Sequence, residues 1–138
     1  MIEKLNGIIY LIIFLVHFLV YAVYAFRTVV ATKSFLDKYS IDHSAAIMVR
    51  FFGAPFIGSV LFALYILFVR PDGVEGTWAF FNLIFVQNLM YCIVGIYTVN
   101  INKLGHNEKT TNEGTIVSGI LTILSAILCY GLSDKIYS

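Results

Sequence analysis

Four long apolar runs separated by short polar stretches set the pattern of this chain: Gly7 to Phe26, Phe51 to Val69, Thr77 to Val99 and Gly114 to Leu132. Each holds about 19 to 23 residues without a formal charge, enough for a helix to cross a hydrocarbon core of roughly 30 Å. The pattern predicts an all-α fold, an integral membrane bundle of four antiparallel helices. Their bounds are expected at about residues 6–27, 43–69, 77–100 and 114–133, making one transmembrane domain over 1–138.

The polar breaks refine this picture. The first, Arg27 to Asp42, mixes Arg27, Lys33, Asp37 and Lys38 with Val29, Val30, Phe35, Leu36 and Tyr39. That mixture suits a short interfacial helix between the first two spans, with Lys33 and Asp37 spaced for an i,i+4 pair. Asp42 or Ser44 offers a side-chain oxygen to cap the second span. The second break, Arg70-Pro71-Asp72-Gly73, reads as a tight turn that makes spans two and three neighbours in a hairpin, and Trp78 follows at the depth of an aromatic belt. The third, Asn100 to Glu113, is too hydrophilic to enter lipid.

Small and polar residues inside the spans suggest how the helices meet. Ala46, Arg50, Ala54, Gly58 and Phe62 form a ridge on the second helix, where Pro55 invites a bend that Ser59 can offset. Gly114, Ser118, Thr122 and Ala126 form a similar ridge on the fourth. Lipid provides no hydrophobic force between helices, so close backbone contact must hold them together. Ala54, Gly58, Ser118 and Thr122 are the expected packing residues, against each other or another copy. The third helix is the most polar, with Asn88, Tyr91, Cys92, Gly95 and Asn102 on one face.

Aligning the middles of the spans brings His17, Ser59, Gln87 or Asn88, and Thr122 near the midplane. A histidine there needs a donor and an acceptor, which amides and hydroxyls supply. Two readings stay open: interhelical glue, or a buried polar site for a quinone, a lipid headgroup or a proton relay. For the second, the ligand-binding candidates are His17, Gln87, Asn88, Tyr91 and Arg50. Arg50 and Glu113 fall on the same side and are expected either to pair, or to separate with Arg50 snorkelling to lipid phosphates. Asp42, His43, His106 and Glu108 share that side, but their spacing matches no metal-ligand motif, so they read as solvated.

Composition narrows the function classes. Apolar residues make up 59% of the chain and charged residues 12%, outside the range of ordinary soluble domains. A net charge of +1 without a basic tail gives no reason to expect nucleic acid. The partners expected are the lipid bilayer and proteins within it. No span contains Asp or Glu, against a proton-coupled antiporter built on a membrane carboxylate, and no motif implies catalysis or a cofactor. Cys92 and Cys129 differ in depth by roughly 15 Å, beyond disulfide reach. Val23-Tyr24-Ala25 resembles a signal-cleavage site, but the apolar core before it is too long, so the first span is expected to be retained. Lys4, Arg70 and Lys135 lie on one side; Arg27, Lys33, Lys38, Arg50, Lys103 and Lys109 lie on the other. The positive-inside rule puts the first and third loops in the cytoplasm.

Phe35 to Leu61 resembles a segment of small four-helix bacterial membrane proteins of the DoxX-like type. Tyr39, Ile41 and Asp42 match their turn, and Arg50, Phe51, Phe52, Gly53 and Ala54 match the start of their second helix. The resemblance implies a four-helix bundle in a bacterial inner membrane and transfers no catalytic residue. The leading expectation is a non-catalytic accessory, scaffold or self-associating protein. A binder of a small hydrophobic molecule at the midplane cluster and a homo-oligomeric pore are the alternatives.

Overall fold

The computed structural model describes residues 2–138, and among them every regular element is helical. A short turn, Glu3–Leu5, leads into α1 (Ile8–Ala25), α2 (Thr32–Lys38), α3 (Ala46–Leu64), α4 (Trp78–Ile96), α5 (Glu113–Gly131) and α6 (Ser133–Ile136). Wider π-helical turns prolong α1 over Phe26–Val30, α3 over Tyr65–Val69 and α4 over Tyr97–Ile101. Four helical stretches therefore emerge, Ile8–Val30, His43–Val69, Trp78–Ile101 and Glu113–Gly131, each long and apolar enough to cross a membrane. The first runs past the expected end at residue 27, because Thr28 returns its hydroxyl to the Tyr24 carbonyl at 2.6 Å and Ala31 closes onto Phe26 at 2.9 Å.

The breaks fold locally much as their residues dictate. A short helix, α2, does form in the first break, and Lys33 meets Asp37 at 3.2 Å. The Asp42 carboxylate accepts the Ser44 amide at 2.8 Å, capping the turn that opens α3. Pro71 holds Arg70 in an extended conformation, which stops the helix, and the Gly73 amide closes the turn onto the Arg70 carbonyl at 3.3 Å.

The bundle is best described as two tight helix pairs, α1 with α3 and α4 with α5, joined where α1 also meets α5. Small residues make both pairs. A Cβ added to Gly53 would lie 2.1 Å from Thr28 Oγ1, and one added to Gly95 would lie 2.5 Å from Thr115 Oγ1. Ala54 and Gly58 instead point outward, and a Cβ on Gly58 would meet nothing within 4 Å. The face of α3 turned inward carries Gly53, Phe56 and Ala63, about 100° away from the Ala54 ridge. On α5 the buried positions are Ser118, Leu121, Ser125 and Leu128, while Thr122 is half-buried and bonded to its own helix.

The α3–α4 hairpin also departs from expectation. Its backbones make no close approach of the kind α4 makes to α5. They communicate through rings: Phe62 with Phe80 near the turn, at 4.7 Å between centroids, and Tyr91 with Phe52 and Phe56 further along, at 5.5 and 5.7 Å.

Each end of the bundle is fastened separately. Lys4 bonds the Arg70 carbonyl at 2.7 Å, Lys135 bonds the Glu3 carbonyl, and Asn6 bonds Asp134 at 2.6 Å. These bonds tie the chain ends to the Arg70–Thr77 segment over buried Leu5, Val74, Leu132 and Ile136. At the opposite end Asn107 bonds the carbonyls of Tyr39 and Ser40, joining the third loop to the first.

Candidate functional site

Asn88 is the polar centre of the interior. Its amide is wholly buried on α4 and accepts the Tyr21 hydroxyl at 2.7 Å through Oδ1. With the oxygen so assigned, Nδ2 faces His17 Nε2 at 2.8 Å, Ser125 Oγ at 3.2 Å and the Leu121 carbonyl at 3.3 Å. An amide nitrogen only donates, so His17 Nε2 accepts and the ring proton rests on Nδ1. Nδ1 is buried without a hydrogen-bond partner. This network joins α1 to α4 and α5 on the side where the two helix pairs touch, and it engages both donors of the Asn88 amide. His17 and Asn88, both expected near the midplane, are thus brought together.

The other midplane candidates do not join it. Gln87 turns to the Tyr91 hydroxyl at 3.3 Å, Ser59 returns to the Pro55 carbonyl at 2.9 Å, and Thr122 returns to the Ser118 carbonyl at 2.7 Å. Ser125 and Tyr21 take their places. Tyr21 lies one helical turn beyond His17 on α1, whereas Ser125 required the rotation of α5.

Beside this network, between α1, α3, α4 and α5, opens a cavity of about 310 Å³. Tyr21, Phe52, Phe56, Tyr91, Val94 and Leu121 form most of its wall, and Asn88 reaches its floor. It exists because the α3–α4 seam is held by rings rather than by backbone contact. Its only titratable lining groups are the tyrosines Tyr21, Tyr24 and Tyr91. A second cavity of about 310 Å³ shares Tyr24, Phe52, Thr111 and Gly114 with the first and continues it toward the first and third loops, past Phe35, Tyr39 and Glu113.

Glu113, at the start of α5, is the charged hub of that mouth. Its carboxylate accepts from Tyr39 at 2.6 Å, Arg27 at 3.0 Å, Lys38 at 3.0 Å and, more weakly, Tyr24 at 3.4 Å. The Arg27 guanidinium sits over the rings of Tyr24, Phe35 and Tyr39, at 5.3 to 6.0 Å from their centroids. The hydrogen bond to Glu113 raises the Lys38 ammonium above its usual range. Nearby, His43 and then Lys33 hold Asp37 below the usual carboxylate range.

The expected Arg50–Glu113 pair does not form. The exposed Arg50 reaches Thr32 on α2 at 3.2 Å, because α3 packs on α1 and α2 while Glu113 faces Arg27 at the end of α1. Arg27, Lys38 and Tyr39 were the residues sequence reasoning missed; their signal was a shared side with Glu113. On the polar face of α4, Gly95 packs against Thr115 and Cys92 lies beside Gly119 of the same chain. Among the described residues no cluster of His, Cys, Asp and Glu is arranged to hold a metal; His106 bonds the Thr98 carbonyl instead.

No family model, curated protein or solved structure matches this chain.

Proposed function

We propose that this chain is an integral membrane protein of four antiparallel helices that binds a small apolar molecule between its two helix pairs, in a non-catalytic role. The observation that carries the reading is the aromatic cavity within apolar helices, lined by Tyr21, Phe52, Phe56 and Tyr91 and open toward the α3–α4 seam. The test is native mass spectrometry of the protein gently extracted from its own membrane. One apolar molecule retained per chain, and lost in Gly114→Leu, supports the reading. Gly114 is suited to this variant because it lines both cavities and an added Cβ meets open space there. A wild-type protein that retains nothing overturns the reading.

A self-associating or accessory role keeps one observation in its favour, the outward Ala54–Gly58 ridge of α3. Gly58→Leu is expected to dissolve any assembly made on that ridge without unfolding the chain; an unchanged assembly in native mass spectrometry would count against it. The excess of Lys and Arg supports a cytoplasmic position for the first and third loops, in an inner-membrane setting. A cysteine at Asn107, in a background lacking Cys92 and Cys129, is then expected to resist impermeant labels added from outside; ready labelling would reverse the orientation.

A further inference from the structure

We infer that the molecule taken up is an amphiphile whose chain fills the aromatic cavity and whose head, a hydrogen-bond acceptor with one negative charge, rests at the mouth beside Lys38. This rests on the binding reading above and adds to it the chemistry of the head.

The Glu113 carboxylate is already fully engaged within the chain. Two carboxylate oxygens offer about four acceptor positions. Tyr39, Arg27, Lys38 and Tyr24 of the chain itself occupy them. A head that recognises its site by donating, such as a free amine or a polyol, finds no acceptor on Glu113. Asn88, at the far end of the cavity, is wholly buried, with Oδ1 accepting from Tyr21 and Nδ2 facing His17 and Ser125.

The donors, by contrast, are not exhausted. Lys38 lines neither cavity, but it reaches Glu113, which lines the mouth, at 3.0 Å; it carries three N–H groups, gives one to Glu113, and its side chain is half exposed. Thr110 and Thr111 line the mouth with hydroxyls that accept from Asn107 and Glu113 amides, so each keeps its own proton to give. Charge points the same way. Two cations, Arg27 and Lys38, share the one carboxylate of Glu113, which leaves one positive charge uncompensated beside the mouth. Arg27 is enclosed by rings, so the accessible part of that charge is on Lys38.

Geometry joins head to chain. The mouth and the aromatic cavity share Tyr24, Phe52, Thr111 and Gly114, so one molecule spans both. Glu113 opens the fourth apolar helix, which sets the mouth at the level where membrane lipids carry their own headgroups. A fatty carboxylate and an anionic phospholipid both present this chemistry.

The test is native mass spectrometry of the detergent-solubilised full chain, titrated separately with oleate, dioleoyl phosphatidylglycerol and dioleoyl phosphatidylcholine. One tight adduct per chain is expected with oleate or phosphatidylglycerol, at roughly fivefold preference over phosphatidylcholine, the scale that one lysine gives an anion at a membrane surface. Which of the two binds tells a carboxylate from a phosphodiester. Lys38→Gln, which leaves Arg27 on Glu113, is expected to abolish the preference while keeping the adduct. Gly114→Leu is expected to abolish the adduct itself. Equal binding of all three lipids, lost in Gly114→Leu, overturns the anionic head and leaves the cavity reading standing. Adducts untouched by Gly114→Leu overturn both.

Discussion

Asn88 holds three helices through one amide. Replacing it with leucine keeps most of the volume but strips partners from the Tyr21 hydroxyl, the His17 ring and Ser125, all inside an apolar bundle. Stability in micelles is expected to fall by about 1–3 kcal/mol, the cost of stranding buried polar groups. Titration with dodecyl sulfate, followed by circular dichroism, reads this directly; an unshifted midpoint would show that the network contributes nothing to holding the pairs together. The residues of this network illustrate what a sequence conveys at this scale. Depth along a helix can be counted, so His17 and Asn88 were found. Azimuth around a helix cannot be counted without a partner, so Gln87 and Thr122 looked equivalent to Asn88 and Ser125. Arg27 was overlooked for a different reason. A cation at the end of a span reads as an anchor to lipid, and only the fold shows it enclosed by Tyr24, Phe35 and Tyr39.

Elements in this protein are specified by their ends and paired by their glycines. Pro71 stops a helix and the Asp42 cap starts one where local chemistry demands, which is why these helix ends could be read in advance, whereas the Thr28 back-bond carries the first helix past its expected end. Pairing was less legible, because glycines 53 and 58 are the same residue on one helix and differ only in what faces them. Gly53→Ala is expected to destabilise the α1–α3 pair by about 1–3 kcal/mol, since its Cβ would collide with Thr28 and Val29. Gly58→Ala at its open position should be neutral or slightly stabilising, by up to about 1 kcal/mol, through helix propensity. Parallel unfolding curves of the two variants check the contrast. Equal losses in both would mean that close approach at Gly53 does not hold the pair.

At the scale of the whole molecule, the two pairs are joined unequally. On the α1–α5 side they meet through backbone proximity and the Asn88 network; on the α3–α4 side they meet through the rings of Phe52, Phe56, Phe62, Phe80 and Tyr91. Interlocked backbones have few alternative positions, whereas rings can tilt and slide across one another at small cost. The bundle thus has a stiff edge and a compliant one, and the compliant edge borders the cavity. A surrounding bilayer that thins or is stretched does work on the softest boundary first. The consequence is a mechanical one: lipid chain length should set the width of the α3–α4 seam and leave the α4–α5 pair unmoved. Spin labels at Leu61 and Leu83, against labels at Met90 and Ile120, would report the two distances in bilayers of short and long lipids with Cys92 and Cys129 replaced. A seam that stays fixed while thickness changes would mean that the rings lock as firmly as the glycines do. A seam that widens would make this cavity a gauge of the membrane in which it sits.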